Sequence, residues 1–348
     1  MQRLRILIIL FFFVAISLPL VYADRGMIPV SIGTSVYEPG QKAILAWNGQ
    51  EEIMILSTDV TSSQETLVLE ILPLPSKPDV EAASLRSFEE IQNMIWEEGV
   101  NQFIFSAKDG ARYGSVEVLF HEKIGAHNIT VVKATDTPEL IGWAKNFLVG
   151  SGVNKEISLQ NFESVVQDYM RRGFRYYILD LITVTKEERS VDPILYRFNS
   201  SFLHYPLLIT SPVHGNTEIT LFLLTEGRVD KDYWPMQKTR YRLSGGLQAL
   251  QPIEFVLSKG DLSKIDIRIG EIFDDKAWLT VLRYEGQINL LTRDLMISEG
   301  SLNPAVNPPI NVEVTVSPTL IVLCFLLGAA STLAGILSTF LITRPKKS

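Results

Sequence analysis

Residues 42–58 read KAILAWNGQEEIMILST, and the fold turns on how this stretch is read. Two apolar runs, Lys42 to Trp47 and Glu52 to Thr58, flank Asn48-Gly49, a dipeptide that readily supplies the two positive-φ positions of a tight turn. The pattern predicts an antiparallel hairpin, and with it a β-sheet. Downstream, Thr66 to Leu74 (TLVLEILPL) predicts a third strand. Pro73 and Pro75 cannot donate to a ladder, so they predict the end of pairing and a sheet edge there.

Helical spacing follows. Ser87 with Glu90 forms a capping-box pattern, and Phe88, Ile91, Ile95 and Trp96 share a stripe, predicting an amphipathic helix over 87–98. Strands are predicted over 115–120 and 129–134, then a helix opened by Thr137-Pro138-Glu139, running to about Leu148 and stopped by Gly150. Another helix starts near Ser158, carries Phe162, Val165, Val166, Tyr169 and Met170 on one face, and ends at Arg171-Arg172-Gly173. Phe174 to Val184 (FRYYILDLITV) is apolar enough for a central strand buried on both faces. Further strands are predicted over 194–198, 207–210, 218–224, 277–284 and 288–291, with no fixed-period repeat. The fold class is α+β: a mixed, largely antiparallel sheet with about three helices packed on it, plus one C-terminal transmembrane helix.

The chain ends give an address. Arg3 and Arg5 precede an apolar run, Ile6 to Leu18, too short to span a bilayer, and Val21-Tyr22-Ala23 suits signal peptidase. Residues 1–23 therefore read as a signal peptide, with Asp24 the mature start. Leu320 to Ile342 is long enough to span and holds no charged residue, and Arg344, Lys346 and Lys347 follow it. The expected topology is single-pass in the cell membrane, with the body (24–300) outside, a transmembrane helix over 319–343 and a cytoplasmic tail (344–348). Between body and membrane, residues 301–318 carry Pro304, Pro308, Pro309 and Pro318 and read as a stalk. The body is one large domain or two, with a boundary near 185–240.

Composition excludes several functions. Removing the five basic residues of the two ends from 32 leaves 27 against 39 acidic ones, so body and stalk together (24–318) carry −12 and no nucleic-acid partner is expected. The one cysteine, Cys324, lies in the spanning segment, so the body holds no disulfide, cysteine nucleophile or thiolate metal site. Within the anchor, Ser331 and Gly335 have the small-xxx-small spacing that permits helix self-association, although such spacings are common in spanning helices and a plain lipid anchor is the favoured reading.

No nucleophile elbow, phosphate loop or zincin pattern is present; His121-Glu122 begins like the last, but Gly125 stands where its second histidine belongs. Among His121, His127, His204 and His214, the first two flank a turn and form the best metal hypothesis, set against ordinary hydrogen-bonded histidines. The acid pairs Glu89-Glu90, Glu97-Glu98 and Asp274-Asp275 resemble glycosidase carboxylates only superficially, since neighbouring helical residues point apart. No catalytic, cofactor or metal residue is therefore assigned. Two sequons, at Asn128 and Asn199, can carry glycans where the host performs that chemistry.

Pro39-Gly40-Gln41-Lys42-Ala43 with Trp47-Asn48-Gly49, the Leu72-Pro73-Leu74-Pro75 corner, Trp143 with the unit from Tyr169 to Leu181, and Tyr205 to Pro212 resemble the domain-of-unknown-function 2330 family. The resemblance covers most of residues 26–240 and implies an exported, often C-terminally anchored prokaryotic surface domain. It carries over no catalytic residue. Relatives place cysteines just after the signal, where this chain has Asp24-Arg25-Gly26. Two readings follow: a cell-surface module binding a protein, glycan or envelope component, or a surface hydrolase whose carboxylates or histidines converge only in the fold.

Overall fold

The expected hairpin forms at the centre of a large sheet in the computed structural model. The structure describes residues 28–29, 36–100, 123–153, 159–187, 189–213, 215–241 and 250–303, all within a unit spanning Met1–Val306. The signal peptide, the predicted strand 115–120, residues 304–318 of the stalk, the transmembrane segment and the tail lie outside the described residues. Among the described residues no helix is long and apolar enough to cross a membrane.

A short strand, β1 (Ile28–Pro29), precedes the hairpin strands β2 (Val36–Trp47) and β3 (Glu51–Ser62). Trp47 pairs with Glu52, so residues 48–51 form a wider loop than the predicted two-residue turn. Asn48 Oδ1 accepts from the amides of Gln50 and Glu51 at 3.0 and 2.8 Å, and Gly49 supplies a positive φ of 89°. The asparagine side chain thus closes the loop itself.

β4 (Thr66–Leu74) corrects the first expectation. It does not extend the hairpin but enters a second sheet, antiparallel to a later strand from Thr66 to Leu74. Pro73 lies inside this pairing and does not end it. On the other side of β4, among the described residues only Val68 and Leu69 are paired, with β1, so Pro73 lies beyond that pairing.

The chain returns through β5 (Asp79–Ala82) to α1 (Arg86–Glu97). The predicted capping box does not form: Leu85 is the N-cap without a side-chain bond, and Glu90 pairs with Arg86 instead at 3.1 Å. Phe88, Ile91, Met94 and Ile95 are buried, whereas Trp96 is 42% exposed and leaves the predicted stripe. Next come β6 (Lys123–Ile124), β7 (His127–Lys133) and α2 (Thr137–Gly150). Asp136, rather than Thr137, caps α2, accepting from Glu139 N at 3.0 Å.

α3 (Gln160–Arg171) and β8 (Tyr176–Val184) follow, with Gly173 at φ 95° reversing the chain between them. β8 lies between β4 and β7 in a five-stranded antiparallel sheet, so its central position is as expected. β9 (Arg189–Ser190), β10 (Ile194–Asn199), β11 (Phe202–Tyr205) and β12 (Asn216–Thr225) come next. Residues 208–210 and 288–290, expected as strands, are 3-10 turns. The first is bracketed by Pro206 and Pro212, and Leu208 N donates to Asp294 Oδ1 rather than to a ladder.

β13 (Gln237–Lys238) and β14 (Glu254–Ser258) lead to two unanticipated helices, α4 (Lys259–Ile265) and α5 (Ile267–Ile272). Ser258 and Asp261 make the reciprocal capping box of α4, and Asp266 caps α5. β15 (Lys276–Gln287) and β16 (Leu295–Ser298) complete the core. The larger sheet has the order β13-β15-β12-β2-β3-β10-β5, with β14 also on β15 and β9 on β3; only β12 and β2 pair in parallel.

Alternation along β2 explains the layers. Ala43, Leu45 and Trp47 face a core shared with Leu72, Leu74 and Ile178 of the second sheet, while Ile44 and Ala46 face Phe88, Ile91, Leu262 and Ile269 of α1, α4 and α5. On the far side of the second sheet, Leu69, Leu179 and Leu181 meet Leu140, Phe162 and Val166 of α2 and α3. The result is helices, sheet, sheet, helices. Among the described residues, five α-helices on two large sheets stand where about three on one were expected.

Candidate functional site

His127 shows what became of the metal hypothesis. His121 and His214 lie outside the described residues, whereas His127 is buried, its Nδ1 against Asp180 Oδ2 and its Nε2 2.9 Å from the Asp192 carbonyl. Asp180 Oδ1 also accepts from Asn128 N at 3.1 Å. Burial disfavours the imidazolium, but the charge and hydrogen bond of Asp180, the charge of Glu70 and the Asp192 carbonyl outweigh it and raise the His127 pKa. Both ring nitrogens are occupied by protein. Among the described residues no three His, Cys, Asp or Glu side chains are arranged to hold a metal ion.

A second buried cluster joins the end of α3 to the loop before β16. Asp294 accepts from Tyr169 Oη at 2.6 Å, Arg172 Nη1 at 2.8 Å and Leu208 N at 2.9 Å, and His204 Nε2 lies 3.4 Å away. Burial would raise the Asp294 pKa, but these donors and charges, His204 first, hold it below the usual carboxylate range. The same burial and the neighbouring carboxylate push the Tyr169 phenol well above its ordinary value. Arg172 stacks its guanidinium 4.3 Å from the Tyr169 ring centroid and 5.1 Å from that of Phe174, and its Nε reaches Asp168 at 2.9 Å. Its geometry is fixed on every side.

Behind His204 lies Glu52, wholly buried on β3. Its Oε2 accepts from His204 N at 2.8 Å, and burial pushes its pKa well above the ordinary value, favouring the protonated carboxyl. Two carboxyls shifted in opposite directions, Asp294 down and Glu52 up, therefore flank one histidine.

The Asp294 cluster opens onto a cleft of about 640 Å³ lined by Asp168, Arg172, Lys231, Tyr233, Trp234 and Arg293, among others. Trp234 is also a wall of an adjoining cleft of about 460 Å³, with Lys238, Arg240, Arg283 and Glu285. Its indole is 60% exposed, and Leu290 and Met296 beside it are 48% and 41% exposed. An indole on the surface between two clefts is an unusual use of a large apolar side chain.

The predicted acid pairs do not enter this site. Glu97, Glu98, Asp274 and Asp275 are exposed. Asn199 is exposed at the end of β10, while Asn128 is half-buried on β7. The residues that build the cleft were not singled out from sequence. Arg172 reads as a helix stop and Asp294 as an isolated loop acid. The available signal was Asp232-Tyr233-Trp234-Pro235, two aromatics in a polar loop.

No curated protein matches this chain. Among solved structures, the crystal structure of baculovirus P35 is similar over 78% of this chain and 99% of its own, with 9% identity and a TM-score of 0.44. A mutated baculovirus P35 after caspase cleavage is similar over 74% and 97%, with 10% identity and a TM-score of 0.38. The profile of a family described as an uncharacterized protein conserved in bacteria, DUF2330, matches residues 22–285, and this chain belongs to that family.

Proposed function

We propose that the chain is a cell-surface binding module, held in the cell membrane by residues 319–343 with its body outside, and that its ligand lies across the two clefts divided by Trp234. The single observation that supports this most is the exposed indole shared by both clefts. Desolvating such a ring is favourable only when something covers it, and flat aromatic faces are efficient contact surfaces because few rotamers are lost. The hydrolase reading has less support, because Asp294, the buried carboxylate of the cleft, is already engaged by Tyr169, Arg172 and Leu208 N.

Binding of the purified full chain to isolated cell envelopes tests the reading. Replacing Trp234 with Ala should weaken it about tenfold or more, with the thermal midpoint unchanged because the indole is largely outside the core. Undiminished binding by W234A would end this assignment.

A further inference from the structure

The charges of the larger cleft are not what a count suggests. Three acids, Asp168, Asp232 and Asp294, face three bases, Arg172, Lys231 and Arg293, and the sum is zero. The acids, however, are already committed. Asp168 is paired with Arg172 and Arg171, Asp232 with Arg240 at 3.5 Å and with Lys238 N at 2.7 Å, and Asp294 with Tyr169, Arg172 and Leu208 N. Among the described residues neither Lys231 nor Arg293 has a carboxylate partner. Both are exposed, and the Lys231 ammonium stands 5.7 Å from the Tyr233 ring centroid. In a chain whose body and stalk together carry −12, this cleft presents uncommitted positive charge.

The adjoining cleft contrasts with it. Lys238 is paired with Glu254 at 2.8 Å, Arg240 with Asp232, and Arg283 with Glu218 at 2.9 Å and Glu285 at 3.2 Å. Polar groups line it without an uncommitted cation. A ligand crossing Trp234 therefore meets balanced polar groups on one side and unsatisfied cations on the other.

We propose that this double cleft binds an acidic oligosaccharide, with a sugar ring on the Trp234 indole and its carboxylates on Lys231 and Arg293. A pyranose offers an apolar C–H face to an aromatic ring and hydroxyls to paired side chains, and a uronate adds a carboxylate that accepts from an arginine fork or an ammonium. Arg172, immobilised by Asp294, Asp168 and two aromatic rings, borders the same cleft as a rigid donor. This inference rests on the binding-module reading and names the ligand class of that same site.

The test is calorimetric titration of the full chain in detergent with hexagalacturonate, and with maltohexaose as the uncharged comparator. Hexagalacturonate should bind at least about tenfold more tightly at low salt, and the difference should shrink at about 0.15 M salt as screening sets in. Substituting both Lys231→Glu and Arg293→Glu should abolish that preference; because neither side chain has an ion-pair partner among the described residues, the thermal midpoint should hold. Equal binding of the two sugars, no binding of either, or a preference that survives the double charge reversal would overturn the inference. If W234A still lowers envelope binding in that event, the module reading stands and only the ligand class falls; if W234A has no effect, the reading itself has failed.

Discussion

At the scale of single residues, the two buried acids next to His204 should respond unequally to the same chemical change. Asp294 is anionic and accepts from Tyr169, Arg172 and Leu208 N, so Asp294→Asn removes the charge that Arg172 and the phenol are organised around. A loss of about 3 kcal/mol is expected from urea unfolding, the usual scale for breaking a buried charge pair. Burial raises the Glu52 pKa and so favours its protonated form, and glutamine can still accept from His204 N, so Glu52→Gln should cost less than about 1 kcal/mol. Equal losses in the two variants would contradict the opposite directions of these shifts. His127 gives a pH signature. Its pKa is raised in the folded state, so the interaction with Asp180 contributes fully below the ordinary histidine value of about 6.5 and is lost as pH rises through the higher folded value. The thermal midpoint of the wild type, compared with that of His127→Gln, should therefore show its largest advantage in mild acid and a shrinking one across the neutral range. An advantage that grows with pH would mean the sign is wrong. Neither role was visible in sequence, because each depends on partners far along the chain: Asp180 lies 53 residues from His127, and Asp294 lies 125 from Tyr169.

At the scale of elements, local chemistry was legible wherever a side chain acts on its own neighbourhood. The hairpin, the stripe of α3 and the glycine that ends it follow from spacing and conformational preference, and so does β8 with its apolar run. The misassignments came where two local signals competed. Asp136 caps α2 although Thr137 is also a capping residue, and Ser87 lies inside α1 rather than before it. The helices α4 and α5 were missed because each is short and Asp261 stands where a capping box usually has Glu or Gln. Their junction is tight: a Cβ added at Gly270 would come within 3.0 Å of Ser263 Cβ and 3.1 Å of its Cα, and would run into its hydroxyl. Gly270→Ala should therefore destabilise by about 1–3 kcal/mol through overpacking, despite the better helix propensity of alanine. Ser263→Ala, which removes only a hydroxyl bonded to its own helix at Lys259 O, should be close to neutral. Chemical denaturation of both variants checks this, and a stabilised G270A would show that the helices are not in close contact.

At the scale of the whole molecule, the question is whether the body divides near 185–240, a division the sequence left open. Strand pairing argues against independent halves. β12 is flanked on one side by β2, from Ile219↔Gln41 to Thr225↔Trp47, and on the other by β15, from Asn216↔Gln287 to Thr225↔Trp278. Its two faces are buried in different layers, Leu221 and Leu223 toward the second sheet and Phe222 and Leu224 toward α1, α4 and α5. Sequence could not show this, because a parallel partner 178 residues away leaves no local trace; the apolar run says only that a strand is buried. A chain ended after residue 240 would lose β14, β15 and two helices, leaving one edge of β12 and much of its helical cover exposed. It should aggregate or be digested rapidly, with no cooperative melt. A chain of residues 24–303 retains every pairing of both sheets and should melt in one transition. Reductant should not move that transition, since the only cysteine is Cys324. Circular dichroism melts of the two chains with limited proteolysis decide it, and a cooperative transition from the shorter chain would show that the first 240 residues fold alone.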